Sequence, residues 1–434
     1  MRLTALLAAA ALAAFFPAAA SAQTVLIRAG DLFDAEAGRM VGPRDILIER
    51  GRVREVGEAL TAPDGATIID LGQCWVTPGL IDAHTHLLLE QGLNEGLSDS
   101  VARDQIILGD GYRLLSAVSR AREYLDAGFT TVRDLGNSGE FLDMILKRAI
   151  GDGRIAGPRM YVSGPGLSPP GGQLEHLAND PHHLAGMEYR IIKGADDARA
   201  AVREAIAAGA DLIKIYPENT PQRTRLSVAE IEAIVGEARR HGVTVAAHAT
   251  SEEAIRESVE AGVTTIEHGY RISDETLRLM AEKGVWLVPT DTSRQTFREF
   301  MAQRETPDEE FISRQLEPQF DRLRRAIRLG VRIAAGSDNY YAVAGGRGEG
   351  ARRALDAYAD AGVPAADVLR AATWEAGRAL GDDRLGALSP DAFADLVAFA
   401  ADPSQDIAAL RQARFVMKDG RPASGDPGAC ASRA

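Results

Sequence analysis

The chain has 434 residues, with 62 acidic against 49 basic side chains and a formal charge of −13. No Lys/Arg run offers a footprint for nucleic acid or anionic lipid, so small solutes are the expected partners. The length exceeds one ordinary domain but suits a large barrel with an accessory domain.

Met1 to Ala22 reads as a targeting segment. Arg2 supplies the positive start, Leu6 to Phe16 an apolar core too short to span a bilayer, and Ala20-Ser21-Ala22 the small-residue cleavage pattern. Cleavage before Gln23 predicts export to the periplasm or the medium, with no membrane association afterwards; an uncleaved anchor is the alternative. From Gln23 to Thr77 short strands alternate with turns, as in Thr24 to Arg28, Asp45 to Glu49 and Arg52 to Val56. Between Pro78 and Arg384 the grammar changes. Gly128, Gly209, Gly242, Gly262, Gly284 and Gly330 each end an amphipathic run and open a β-branched one, as expected where a helix closes on a left-handed glycine before a buried strand. With Ile81 to His86 and Met160 to Ser163 these junctions make eight strands, which predicts an α/β fold, a closed (β/α)8 barrel of the TIM type over residues 78–384. Strand-like runs return over residues 385–424, and residues 425–434 read as a tail.

Chemistry is expected at the carboxyl ends of the barrel strands. His84 and His86 are two apart, so they share one strand face and suit a single metal ion; buried histidines satisfied by hydrogen bonds are the bland alternative. Four further apolar runs end in a ligand-type residue: Lys214, His248, His268 and Asp338. Tyr216, two past Lys214, faces the same side and is a candidate for holding a substrate carboxylate or an oxyanion. Arg133 and Asp134 read as an internal ion pair. Residues 340–350, with Gly345-Gly346-Arg347-Gly348, read as a mobile loop whose arginine is solvated, and the loop holding His176, His182 and His183 as part of a pocket wall. His241, at a helix end, reads as a partner of the helix dipole. Cys74 and Cys430 lack Cys-x-x-Cys spacing and do not read as metal ligands; a disulfide or two free thiols are both open.

Pro78-Gly79-Leu80-Ile81-Asp82-Ala83-His84-Thr85-His86, followed by a lysine, two single histidines and Gly336-Ser337-Asp338, resembles the metal-dependent amidohydrolase superfamily, in its imidazolonepropionase-like and Xaa-Pro dipeptidase-like branch. The resemblance implies that both chain ends join into a small β-sandwich beside the barrel. It implies two divalent ions, Zn2+ being the expected metal: His84, His86 and Asp338 on one, His248 and His268 on the other, and carbamylated Lys214 bridging them. Paired ions acidify water and polarise a carbonyl, and Asp338 would carry the proton to the leaving amine. The implied activity is hydrolysis of dipeptides (Xaa-Pro or similar) or N-acyl amino acids. An amidase for bulky acyl-amino acids of the ochratoxin kind, or an inactive binding protein on the same fold, are the alternatives. Relatives of the branch carry histidine after a Gly-Gly pair where this chain has Gly171-Gly172-Gln173, which puts the substrate class in question. Nothing in the sequence excludes a homo-oligomer.

Overall fold

The structure, a computed structural model, describes residues 24–174, 181–219, 223–302 and 308–431. The targeting segment, His176 and the side chain of His182 lie outside what is described.

Seven barrel strands run parallel: Leu80–Thr85, Phe129–Asp134, Arg159–Val162, Leu212–Ile215, Thr244–Ala249, Thr265–His268 and Trp286–Val288. Their side chains are almost all buried, because helices cover the outside and packed side chains fill the inside. The eighth side of the ring is held by single bonds rather than a regular strand. Leu287 N donates to Arg332 O (2.9 Å) and Ala334 N to Leu287 O (3.0 Å); across the seam Ala83 N donates to Ala335 O and Asp338 N to His84 O, both at 2.8 Å. Between the third and fourth strands Asp211 N reaches Val162 O at 2.9 Å, and an extra short strand, Gly166–Ser168, pairs with Leu212–Ile215 through Leu167 and Ile215.

All six glycines at the helix-to-strand junctions have positive φ, from 69° at Gly242 to 109° at Gly209. A side chain there would meet the left-handed penalty, so these positions fix where each helix stops. Helix starts are set as firmly: Ser227, Ser251 and Ser273 each accept a first-turn backbone N–H, and Glu230 completes a capping box with Ser227.

Beside the barrel lies one eight-stranded mixed sheet built from both chain ends. Leu396–Phe399 pairs antiparallel with Trp75 to Pro78, the end of the long strand Thr67–Pro78. Its own apolar core joins Ile27, Ile46 and Leu71 to Leu396, Phe415 and Met417. Cys74 and Cys430 form a disulfide across 356 residues of sequence. Among the described residues, Arg421–Gly425 is a strand, Pro427–Cys430 a 3-10 turn, and Cys430 is fully buried. Residues 340–350 also differ from expectation, since Gly346–Asp360 is a helix. Its glycines serve close packing rather than mobility: a Cβ on Gly348 would lie 2.2 Å from Glu123 O. That contact buries Arg347, whose guanidinium donates to the carbonyls of Asn339 and Leu89.

Candidate active site

His84 and His86, at the end of the first strand, point into the carboxyl end of the barrel as their spacing predicts, with Nε2 atoms 3.3 Å apart. Asp338 Oδ1 lies 3.5 Å from His84 Nε2 and 3.2 Å from His86 Nε2. Gly336 makes this approach possible, because a Cβ there would sit 2.8 Å from His84 Cβ and 2.5 Å from Val288. The remaining predicted ligands follow round the rim. The His84 and His268 rings are 5.3 Å apart, His268 and His248 4.5 Å, and His248 and Tyr216 5.2 Å, with Lys214 Nζ 5.1 Å from the Tyr216 ring. His268 and Asp338 are both left-handed, φ 71° and 49°, as is Thr290 at 54° beside them. Backbone strain of this kind, about 1–3 kcal/mol each, persists only where the surroundings impose it.

The protons of three histidines can be assigned from their partners. His84 Nδ1 donates to Glu267 Oε2 at 2.7 Å, and His86 Nδ1 to Gly136 O at 3.1 Å. Thr290 gives its own proton to Pro289 O, so its hydroxyl accepts from His268 Nδ1 at 2.7 Å. With Nδ1 so engaged, Nε2 is the atom each ring has left for a ligand. Burial holds His84 and His268 well below the usual imidazole range and His248 at about 3, with the Lys214 charge adding to the shift at His84 and His248. Burial also raises Asp338, but His84 and His86 outweigh it and the carboxyl stays below its ordinary value, ionised at neutral pH. Two imidazole nitrogens and a carboxylate oxygen thus converge, and Asp338 Oδ1 is buried without a hydrogen bond. Such a set of donor atoms fits a divalent metal.

The Amidohydrolase family profile matches residues 75–423, the barrel with the flanking strands of the accessory sheet. The chain belongs to the amidohydrolase family. It is similar to an ochratoxinase of Aspergillus niger, 28% identical over 369 residues, 78% of this chain and 73% of that protein. Among solved structures, a Xaa-Pro dipeptidase with bound methionine superposes with a TM-score of 0.79 at 29% identity, covering 93% of this chain and 100% of that one. A prolidase in complex with N-methylphosphonate-L-proline does so at 0.78 and 27%, with the same coverage. The family makes this amidohydrolase a hydrolase of carbon–nitrogen bonds in small molecules, with divalent metal as its usual cofactor.

One carboxylate of this amidohydrolase escapes a reading of strand ends. Glu267, fully buried, receives Arg133 Nη2 at 2.8 Å on one oxygen and His84 on the other. An acidic residue inside the apolar run Thr264-Thr265-Ile266 was the available signal. The expected Arg133–Asp134 pair does not form. Consecutive strand residues face opposite ways, so Arg133 turns inward to Glu267 and Ala83 O, while Asp134 accepts from Thr85 Oγ1 and Leu87 N, both at 2.8 Å. Burial pushes Lys214 down to about 8, against the pull of Glu267 and Asp338. Burial raises Tyr216 well above its ordinary value, so its phenol remains a donor. Gln173 donates to Glu218 O at 2.7 Å. His183 is exposed on the helix Pro181–Glu188, and His241, at a helix C-terminus, lies 3.4 Å from Glu237.

Proposed function

We propose that this amidohydrolase is an exported, binuclear enzyme that cleaves the amide bond of dipeptides, of the Xaa-Pro or a similar kind, or of N-acyl amino acids. The observation that carries the reading is the triangle of His84, His86 and Asp338, whose three ligand atoms all lie within 4.8 Å of one another. His248 and His268 are assigned to a second ion, and Lys214 to the bridge. Burial leaves part of the Lys214 amine neutral at physiological pH, and a neutral amine adds to carbon dioxide, forming an N–C bond and releasing a proton. The resulting carbamate replaces an ammonium, which would repel two cations, with anionic oxygens. Bound divalent ions, zinc being the expected ones, supply Lewis acidity at the scissile carbonyl and acidify water.

The protein's own groups do the rest. Asp338, ionised and half-buried, is assigned to take a proton and return it to the leaving amine. Tyr216 keeps its phenolic proton and is assigned to the oxyanion or a substrate carboxylate. Glu267 and Thr290 hold the imidazole protons of His84 and His268 on Nδ1. Support for export comes from the pattern of the first 22 residues and from the Cys74–Cys430 disulfide, a bond typical of oxidising compartments. No helix among the described residues is long and apolar enough to cross a membrane. The ochratoxinase relative favours a second reading, an amidase for bulky acyl-amino acids.

Elemental analysis of the mature protein, expressed with and without added bicarbonate, tests the centre alongside turnover of dipeptides and N-acyl amino acids. The expected result is two ions per chain, loss of metal in Lys214→Ala, and release of amino acid from at least one panel member. One ion or none, with no turnover, overturns the bridging lysine and leaves an inactive binding protein.

A further inference from the structure

Asp338 also lines a recess of about 160 Å³. Four aromatic rings line it among serine, threonine, asparagine and aspartate side chains. Tyr340 and Tyr341 stack at 4.5 Å, Phe300 meets Tyr341 edge-on at 4.9 Å, and Tyr270 lines the same recess. Two of these rings begin at metal-site residues: Tyr340 stands 5.7 Å from the His86 ring and Tyr270 5.5 Å from His268. Among the described residues no lysine or arginine lines the recess, and its one other carboxylate, Asp291, is paired with Arg322 in the protein interior. A substrate carboxylate placed here would face Asp338. The four rings offer their faces and edges to an aromatic group, with hydroxyls beside them.

The walls are also held in place before anything binds. Gln91 N donates to Tyr340 O at 2.9 Å and Ala342 N to Gln91 O at 3.0 Å, clamping the tyrosine pair to the loop after the first strand. The helix Arg294–Ala302, which carries Phe300, is tied in by Ala344 N donating to Glu299 Oε1 at 2.9 Å. A preformed pocket spares its ligand the cost of ordering the walls.

We infer that the recess walled by Tyr270, Tyr340, Tyr341 and Phe300 is a specificity subsite for an aromatic side group on one flank of the scissile amide. The inference rests on the hydrolase reading above and narrows its substrate class to amides bearing such a group. It is tested with two matched series in which alanine, leucine and phenylalanine side chains vary either in the acyl part or in the leaving amino acid. One series should show kcat/KM for phenylalanine at least about tenfold above alanine, as expected for burying a ring. That ratio should collapse in Phe300→Ala and in Tyr341→Ala and persist in Tyr341→Phe, which keeps the ring, with metal content matching the wild type in all three. Absence of the preference in both series, or its survival in both alanine variants, overturns the subsite. If no amide is turned over, the hydrolase reading falls, and calorimetry of L-phenylalanine against L-alanine decides the subsite alone. Phenylalanine binding that is lost in both alanine variants upholds it; no binding, or binding that both variants keep, overturns it.

Discussion

Glu267→Gln is the sharpest test of how the site is supported. The carboxylate is fully buried and accepts on both sides, from Arg133 Nη2 at 2.8 Å and from His84 Nδ1 at 2.7 Å, with Thr265 Oγ1 as a third donor. An amide of the same shape has only one accepting atom. If that oxygen faces Arg133, the amide nitrogen faces His84, which must move its proton from Nδ1 to Nε2, the atom turned toward Asp338 and His86. If it faces His84 instead, the buried guanidinium meets an N–H. In either case Arg133 loses its counter-charge, and breaking a buried pair from one side costs about 3–5 kcal/mol. Loss of the group that orients a ligand histidine weakens metal affinity by about 10–100-fold. Denaturant unfolding and competition with a chelator of known affinity read the two effects separately. A Glu267→Gln protein with wild-type stability and wild-type metal affinity would refute the proton assignments made for His84.

Asp143 is a pH probe outside the proposed ligand set: burial raises its carboxyl to about 7, aided by the nearby Asp134 charge and against bonds from Gly164 N and Met144 N. Because the folded pKa lies above the unfolded one, the folded state binds the extra proton between about pH 4 and 7, and stability falls as pH rises through that window. The stability of the wild type relative to Asp143→Asn should therefore drop by up to about 4 kcal/mol from pH 4 to 7, and a pH-independent difference would count against it. Cys430→Ser should lower unfolding stability by about 2–5 kcal/mol while leaving metal content unchanged, since the disulfide closes a long loop in the accessory core only. Arg347→Met should speed hydrogen exchange at the Gln91 and Ala342 amides, because Arg347 holds the carbonyls of Leu89 and Asn339 that position both segments. Unchanged exchange would show that the helix contact alone fixes them.

What the sequence makes legible here is local. Period-two alternation places His84 beside His86, and a glycine before each β-branched run marks the strands whose far ends carry Lys214, His248, His268 and Asp338. The partner of Arg133 is not local: Glu267 lies 134 residues away, and nothing near either residue says that they meet. Arg347 shows the same gap from the other side. Glycines around an arginine read as a loop, yet they are small because Glu123 packs on the helix backbone, and that contact depends on the tertiary fold.

The two proposed ligands that period-two reasoning explains least are the ones in left-handed conformation. Glu267 and His268 are consecutive, so a regular strand would send them to opposite faces. Both nevertheless serve one centre: Glu267 from inside the barrel through His84, and His268 from the rim, because φ turns positive at His268 and aims its ring back over the strand end. Asp338 repeats the device at the eighth side of the ring, where its N–H bond to His84 O pins the turn. The strain at these positions is therefore tied to the direction in which the donors point. Gly269, directly after His268, carries a positive φ as well, so the chain leaves the strand through two successive left-handed residues. A β-branched residue at position 268 or 338 would meet that turn with a steric penalty in addition to the lost ligand. His268→Val should thus destabilise the metal-free protein more than His268→Asn, which tolerates left-handed backbone, although neither supplies an imidazole. Equal stability of the two metal-free variants would mean that the turn relaxes once the imidazole is gone.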